Sequence, residues 1–599
     1  MLAITWCLAA GYVAPFVERG WIPHDEGTIA GGAERVLRGE VPHRDFSDGY
    51  TGALSYLHAG AFRVLGVRLA SLRWVLFGSF LLFVPAVYAI GLRFASPWLA
   101  AALTLLATAW TVPNYFASLP SWYNLFLATF AVAALLRHAD TGSRSWLFAA
   151  GVFAGVSILF KIVGLYAVAA GVLFLVYLEQ RRSAALYGSS ARRGALLAID
   201  SGAGLAFVAL VAVAFGGIRD GSSLLHFVAP AAALVAVLVH GERRLGRGPL
   251  GARLLEVAAL QGTFLAGVVA PLAVFAAGYA SAGALPDLVR EVLLAPGKQI
   301  RSAHRELPPA WTVAAALPYA AVLLFPGLLA RARRVLVAGS AVVLGAALVL
   351  ARDPETYRTV WESASWLNVV AVLAGAAWIL RSPEDPGPAV APRETLFLLL
   401  SATAMLSLVQ YPFAAPIYFC YVAPFVVLAI AALVRLQGAS AVHACVLVFY
   451  LLFAVVYANR GYVFEVGLRS FRYSADAVLP GERGGLRVPA ADAATYGALE
   501  DAIRRGSGGR PFYAGPDCPE VYFLTGSPGP VRASFEFQSG LDKDPERLLR
   551  LVDSIGARLV VLNGAPAFSK PPSDGLRAAL ARRFPYERRI GAFVVRWTD

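Results

Sequence analysis

Residues 21–50, "WIPHDEGTIAGGAERVLRGEVPHRDFSDGY", hold a dense group of acidic side chains in an otherwise apolar chain. Asp25 and Glu26 stand together, and Asp45 and Asp48 follow in "HRDFSDGY", which ends on Tyr50; His24 and His43 flank the acids. Asp25 can cap a short helix beginning at Gly27, with Glu26 favourable in its first turn. Alternatively, carboxylates at a water-facing membrane edge can serve a polar reaction partner. His24, His43 and Asp25 match no metal-ligand spacing, so structural or hydrogen-bonding roles are expected of the histidines, and no metal or other cofactor is expected. Cations supply the complementary chemistry. Lys161, in "GVSILFKIVGLY", interrupts a long apolar run; it either snorkels at a helical hairpin or meets an anion. Loop 282–310 carries Arg290, Lys298, Arg301, His304 and Arg305, which suit a phosphate or lipid headgroups. Cys518, in "GPDCPEVYFLTG", has no nearby histidine and reads as a small residue rather than a nucleophile.

The elements that must carry these residues follow from composition. Of 599 residues 58% are hydrophobic and only 15% charged, and apolar stretches long enough to cross a bilayer recur as far as residue 457. About fifteen spans are expected, near 1–17, 71–92, 96–113, 121–137, 145–160, 162–178, 195–216, 222–240, 254–281, 311–330, 334–351, 363–380, 394–410, 415–434 and 440–457. The net charge of +14 comes from 52 Lys and Arg against 38 Asp and Glu. Arginines crowd alternate short loops (Arg181, Arg182, Arg192 and Arg193; Arg243, Arg244, Arg247 and Arg253; Arg331, Arg333 and Arg334), which is how a membrane protein sets its orientation, so no nucleic-acid partner is expected. That register places loops 18–70 and 282–310 and everything beyond 457 on the external face. "YTGALSYLHAGAFRVLG", from residue 50, aligns Leu54, Leu57, Ala61 and Leu65 as a helix lying on the membrane surface. "QYPFAAPIYFCYVAPF", 410–425, reads as an aromatic belt or as part of a lipid or acceptor groove.

Beyond 457 the chain changes character. "RPFYAG", "RLVVLNG" and "AFVVRW" read as strands, and "DAATYGALEDAIRR", "PERLLRLVDSI" and "DGLRAALARRF" as helices, an alternation that suggests a small α/β domain. The expected fold is therefore a polytopic α-helical membrane protein, with a transmembrane domain over 1–457 and an extracytoplasmic α/β domain over 458–599. The four cysteines form no disulfide framework. A composition heavy in Ala, Arg and Gly suggests a GC-rich bacterium, with the chain in its cytoplasmic membrane.

The layout "P-x-D-E-G … A … L-x-G-x-x-P-x-x-D-F", Pro23 to Phe46, resembles the first external loop of the membrane-embedded glycosyltransferases of the GT-C class, in particular the bacterial relatives of the protein O-mannosyltransferases and the lipid A aminoarabinose transferases. The family's Pro-Pro or Gly-Pro pair is replaced here by "DGYTG", 48–52. The stretch 515–526 is similar to one in external domains of related bacterial transferases. The resemblance implies a glycosyltransferase that moves a sugar, hexosyl or pentosyl, from a polyprenyl-phosphate-linked donor to a hydroxyl of a glycan, lipid or protein acceptor at the outer face. It implies Asp25 as the general base with Glu26 as its companion, Asp45, Asp48 and Tyr50 binding substrate, and Lys161, Lys298, Arg301, His304 and Arg305 meeting the lipid phosphate. A transporter or flippase of lipid-linked sugars is the alternative; it requires polar residues near mid-span, where this sequence has few.

Overall fold

A computed structural model of the chain describes residues 1–187, 195–245, 250–294, 306–382, 392–438, 441–458, 475–541 and 544–598. Lys298, Arg301, His304 and Arg305 lie outside the described residues.

The membrane part is a bundle of helices. It begins with α1 (Leu2–Val13), α2 (Pro23–Leu37), α3 (Ala53–Leu65), α4 (Leu69–Gly91), α5 (Pro97–Ala109), α6 (Pro120–Thr141), α7 (Arg144–Phe160) and α8 (Leu165–Tyr187). Among the described residues six helices are long and apolar enough to cross a membrane, among them Leu69–Gly91, Ile162–Ala184 and Pro354–Arg381. Other expected spans are shorter: α5 has 13 residues and so rises about 20 Å. The stretch 311–330 is not one helix. The chain turns through Ala310–Ala315 and Leu317–Leu324, breaks at Phe325–Pro326, and resumes as Gly327–Leu350. Arg331, Arg333 and Arg334 thus stand inside a helix, because Pro326 starts it and nothing breaks it at the arginines. The helix expected from residue 50 is α3, in which Leu54 and Ala61 are buried and Leu57 and Leu65 exposed.

Close backbone contact sets the pose of α7. A methyl group on Gly151 would fall on the carbonyl of Phe264, and one on Gly155 on the carbonyl of Val268, both in the facing helix Leu250–Ser281; Gly267 meets Phe148 in the same way. Small residues four apart let two membrane helices touch through their backbones. The tight turn after α7 brings Gly164 against Ile158, and this hairpin presents Lys161.

After residue 474 a four-stranded sheet forms in the order β3 (Tyr513–Gly515), β4 (Leu559–Asn563), β6 (Phe593–Trp597) and β5 (Tyr586–Ile590), preceded by a short antiparallel pair, β1 (Ala477–Val478) and β2 (Arg487–Val488). β3 runs parallel to β4, while β6 is antiparallel to both its neighbours. The three expected strands and three expected helices are all present. The additional strand β5, "YERRI", gives no apolar signal because four of its five residues are exposed. The sheet region docks on loop 18–70: Gly20 N–H donates to the Arg487 carbonyl (2.7 Å), Arg487 N–H to that of Glu18 (2.7 Å), and Ser47 N–H to that of Arg532 (3.0 Å). Trp21 packs edge-on against Tyr496, and Phe62 stacks on Phe523. The first loop and the C-terminal region therefore share one face of the molecule.

Candidate functional site

The acidic pair is split by its helix. α2 starts at Pro23, earlier than the capping reading places it, and its N-cap Ile22 has no side-chain cap. Asp25 is thus inside the first turn, and consecutive residues of a helix point about 100° apart. Glu26 turns inward. Its carboxylate receives Nε (2.6 Å) and Nη2 (2.8 Å) of Arg73 from α4 and the N–H of Ile22 (2.8 Å). Both partners are buried, with 3% and 1% of their side-chain surfaces exposed. Arg73 Nη1 also donates to the carbonyls of Phe16, Val17 and Arg19. Glu26 consequently holds α2 to α4 and to the end of the first helix, and does not line the cavity that Asp25 faces.

Asp25 turns the other way. Its Oδ2 accepts the Tyr115 hydroxyl at 2.6 Å, and His24 Nε2 stands 3.9 Å away. It faces a cavity of about 200 Å³ lined also by Tyr50, Ser121, Lys161, Phe413, Ile417, Tyr418, Tyr421, Phe535, Phe537 and Phe568. Asp25 supplies the single carboxylate among these lining residues, and Lys161 the single ammonium. Lys161 Nζ donates to Ser121 Oγ (3.1 Å) and sits over the rings of Tyr50 (5.7 Å) and Tyr418 (5.6 Å). Burial pushes its ammonium down to about 8, against the pull of the Asp25 carboxylate. A half-buried cation whose neighbours are a hydroxyl and aromatic faces is poised for an anionic ligand.

The roof comes from the C-terminal region. Asp517 accepts the N–H groups of Phe568 and Ser569 (2.7 Å each) and the Ser569 hydroxyl (2.6 Å). Glu536 accepts from Asp517 N–H (2.7 Å) and the Tyr513 hydroxyl (2.8 Å). This buried chain of bonds orders the loops that bring Phe535, Phe537 and Phe568 over Asp25, with His24 edge-on to Phe568 at 5.2 Å. Burial pushes the Glu536 carboxyl up to about 7.

The C-terminal region also touches α2. A methyl on Gly27 would coincide with the backbone N and Cα of Glu520. Gly27→Ala is expected to wedge α2 from the sheet region, costing about 1–3 kcal/mol and lowering turnover by at least tenfold. Gly60→Ala, mid-helix in α3 with nothing within 4 Å of its new methyl, should leave turnover unchanged and raise stability by up to about 1 kcal/mol; thermal unfolding in detergent and initial rates check the pair.

The other sequence candidates are placed differently. Asp45 accepts the Val41 N–H (2.7 Å) and both nitrogens of a bidentate Arg44 (2.9 and 2.7 Å), which hold its carboxyl down to about 2. It braces the loop and does not line the Asp25 cavity. Asp48 binds the Ser55 hydroxyl (2.6 Å) and Tyr50 N–H (2.9 Å) in an adjoining cavity. His43 turns to Glu291 (3.2 Å), and Arg290 pairs with Asp287 at the surface. Cys518 is buried with its thiol donating to the Pro516 carbonyl, and burial pushes that thiol well up. Among the described residues no three His, Cys, Asp or Glu side chains gather as a metal set. The sequence reading passed over Tyr115, Ser121 and the three roof phenylalanines. The first two lie in "NYFASLPSWYN", a loop whose one signal was its lack of charge.

An ionic cluster also lies within the bundle. Arg253 binds both Glu179 and Glu242 through four contacts of 2.7–2.8 Å, and Gln180 bridges Glu242 and Asp200. Glu179 is 14 residues past the start of α8, about 21 Å from its Lys161 end. Glu179, Glu242 and Arg253 lie just beyond the expected spans 162–178, 222–240 and 254–281, and of this cluster only Asp200 falls inside one, 195–216. The charges are mutually paired, which suits helix packing better than a conducting path.

No family model matches the chain, and no curated protein matches it. Among solved structures it is similar to the oligosaccharyltransferase of Archaeoglobus fulgidus in the apo form, at 11% identity and TM-score 0.47 over 94% of this chain and 69% of that one. It is also similar to ArnT from Cupriavidus metallidurans bound to undecaprenyl phosphate, at 13% identity and TM-score 0.36 over 99% and 96%. With identities and scores this low, the functional reading rests on the geometry of the site itself.

Proposed function

We infer that the chain is a membrane glycosyltransferase that moves a sugar from a polyprenyl-phosphate-linked donor to an acceptor hydroxyl at the outer face of a bacterial cytoplasmic membrane. The observation that carries this reading is the meeting of one carboxylate, Asp25, and one half-buried ammonium, Lys161, across a single aromatic-walled cavity. Asp25 accepts the proton of the acceptor hydroxyl as that oxygen attacks the anomeric carbon. The bond from that carbon to the phosphate oxygen breaks, and the polyprenyl phosphate leaves with its charge facing Lys161. A carboxylate is a far weaker base than an alkoxide, so the proton moves late, as the new C–O bond forms. Among the described lining residues no second carboxylate stands beside it as nucleophile, so we propose a direct displacement that inverts the anomeric centre. Tyr115 orients Asp25, and Glu26 with Arg73 fixes the helix that carries it.

The donor's hydrocarbon tail has a place to lie. An apolar cavity of about 210 Å³ runs among α5, Pro354–Arg381, Ala423–Gln437 and Ala441–Phe453. The short helix Pro416–Cys420 turns Phe419 into it and Ile417 and Tyr418 into the Asp25 cavity, so one element borders both tail and headgroup. The reading as a transporter requires a polar path near mid-span, whereas the paired Glu179–Arg253–Glu242 cluster lies at the ends of its helices.

The test is transfer of radiolabelled sugar from polyprenyl-phosphate donors to envelope extract by purified protein in nanodiscs, with Lys161→Gln alongside. Wild type should transfer, and the variant should lose polyprenyl-phosphate affinity at least tenfold. Movement of carrier lipid between leaflets without sugar transfer would instead establish the transporter. The pH dependence has a defined sign. Below about 8 Lys161 carries its proton and attracts phosphate; as pH rises through 8 the charge is lost, so wild-type carrier affinity should fall between pH 7 and 9.5. Lys161→Gln should show no such fall, as isothermal titration would record.

A further inference from the structure

Beside the Asp25 cavity lies a second one, of about 90 Å³, enclosed between the middle of α2 and the loop 529–536. The two adjoin across Thr28, Gly49, Tyr50 and Ser534, which line both. Asp25, Thr28, Gly32 and Arg35 follow at intervals of three and four residues, so they form one stripe along α2. Asp25 faces the first cavity, Thr28 both, and Gly32 and Arg35 the second. From Asp25 to Gly32 the helix rises about 10 Å.

We propose that this second cavity binds a neutral oligosaccharide acceptor, laid along α2 so that its terminal hydroxyl reaches Asp25. The inference rests on the transfer reading above and names the acceptor class for it. Three features select a saccharide. Glycines 31 and 32 strip the helix of side chains here, and a methyl on Gly31 would meet nothing within 4 Å, so a ring can lie against backbone. Aromatic faces (Phe46, Tyr50, Tyr522) alternate with hydroxyls and the Asp48 carboxylate, the mixture that matches a sugar's C–H faces and its hydroxyl rim.

Charge selects a neutral one. The two arginines at the cavity are engaged: Arg35 Nε with Glu40 at 2.7 Å, and Arg532 with Glu291 at 3.5 Å. Asp48 is in no ion pair among the described residues; its oxygens accept a hydroxyl and an N–H and retain lone pairs for substrate hydroxyls. The lining balances two arginines against Asp48 and Glu536, and with Arg35 held by Glu40 and Arg532 by Glu291 and the His43 carbonyl it presents no unengaged cation among the described residues to a phosphorylated headgroup or a uronate. The distance along α2 exceeds one hexose ring, so an acceptor of at least two sugar units spans both cavities.

Water-soluble saccharides released by mild acid from envelopes of the source cell, split into neutral and anionic fractions, serve as probes, with a peptide digest of the same envelopes beside them. Binding to the full chain in nanodiscs is read by saturation-transfer NMR, and undecaprenyl-phosphate binding is measured on the same samples. Neutral saccharides should bind wild type, and Gly31→Leu, which fills the trough, should weaken them at least tenfold while carrier binding holds. Asp48→Asn should weaken them less, without affecting the carrier. Anionic saccharides or peptides binding in their place, or neutral saccharide binding untouched by Gly31→Leu, would overturn the proposal. Retained carrier binding in Gly31→Leu shows that the variant is folded. Wild type that binds saccharides but no undecaprenyl phosphate would sink the transfer reading and leave the saccharide site standing.

Discussion

Asp25→Asn is expected to abolish measurable sugar transfer, a loss of about 10²–10⁴-fold in kcat, with carrier affinity and thermal stability both near wild type. The separation follows from the surroundings of the side chain. The Tyr115 hydroxyl that donates to Oδ2 can donate equally to an amide oxygen, so the fold loses little. What is lost is the lone pair that takes the acceptor's proton. Lys161, the proposed phosphate partner, keeps its place but loses the Asp25 carboxylate that favours its charged form, so KM for the donor is compared at pH 7 or below, where it should move less than threefold. Single-turnover transfer with preloaded donor measures the chemical step directly. A variant that transfers at the wild-type rate would show that Asp25 is not the base, whatever its position in the cavity.

Arg73→Met should be the most destabilising single change near the site. It removes the partner of a buried carboxylate and leaves Glu26 uncompensated, which costs about 3–5 kcal/mol. It also strips a donor from the carbonyls of Phe16, Val17 and Arg19, so the end of the first helix and α2 should loosen together. Loss of transfer is expected as a consequence, since Asp25 is the residue before Glu26. The double variant Glu26→Leu/Arg73→Leu should recover part of the stability, because two apolar side chains of similar bulk leave no orphaned charge. It will not recover all of it while Ile22 N–H and three carbonyls have lost their partners. Thermal unfolding in detergent for Glu26→Leu, Arg73→Leu and the double closes this cycle. A double variant no more stable than Arg73→Leu would mean that Arg73 acts through the carbonyls alone.

Hydropathy alone determined that this chain is helical and membrane-bound, because stretches of hydrocarbon as long as a bilayer is thick are a local property of the sequence. The alternation beyond residue 474 was legible for the same reason, save for β5, whose exposed and charged residues carry no pattern. Sequence also brought Asp25, Glu26, Lys161 and the acidic loop into view, since charge is conspicuous against an apolar background. It left their roles open. Asp25 and Glu26 are equivalent as letters, yet the helix points them about 100° apart. Arg73 from α4 captures one of them, while the other is left facing Tyr115 and the cavity. The close backbone packing of α7 on Leu250–Ser281 decides that Lys161 reaches the same cavity, and the roof of phenylalanines arrives from more than 500 residues along the chain. These are consequences of packing between distant segments, to which local composition is blind.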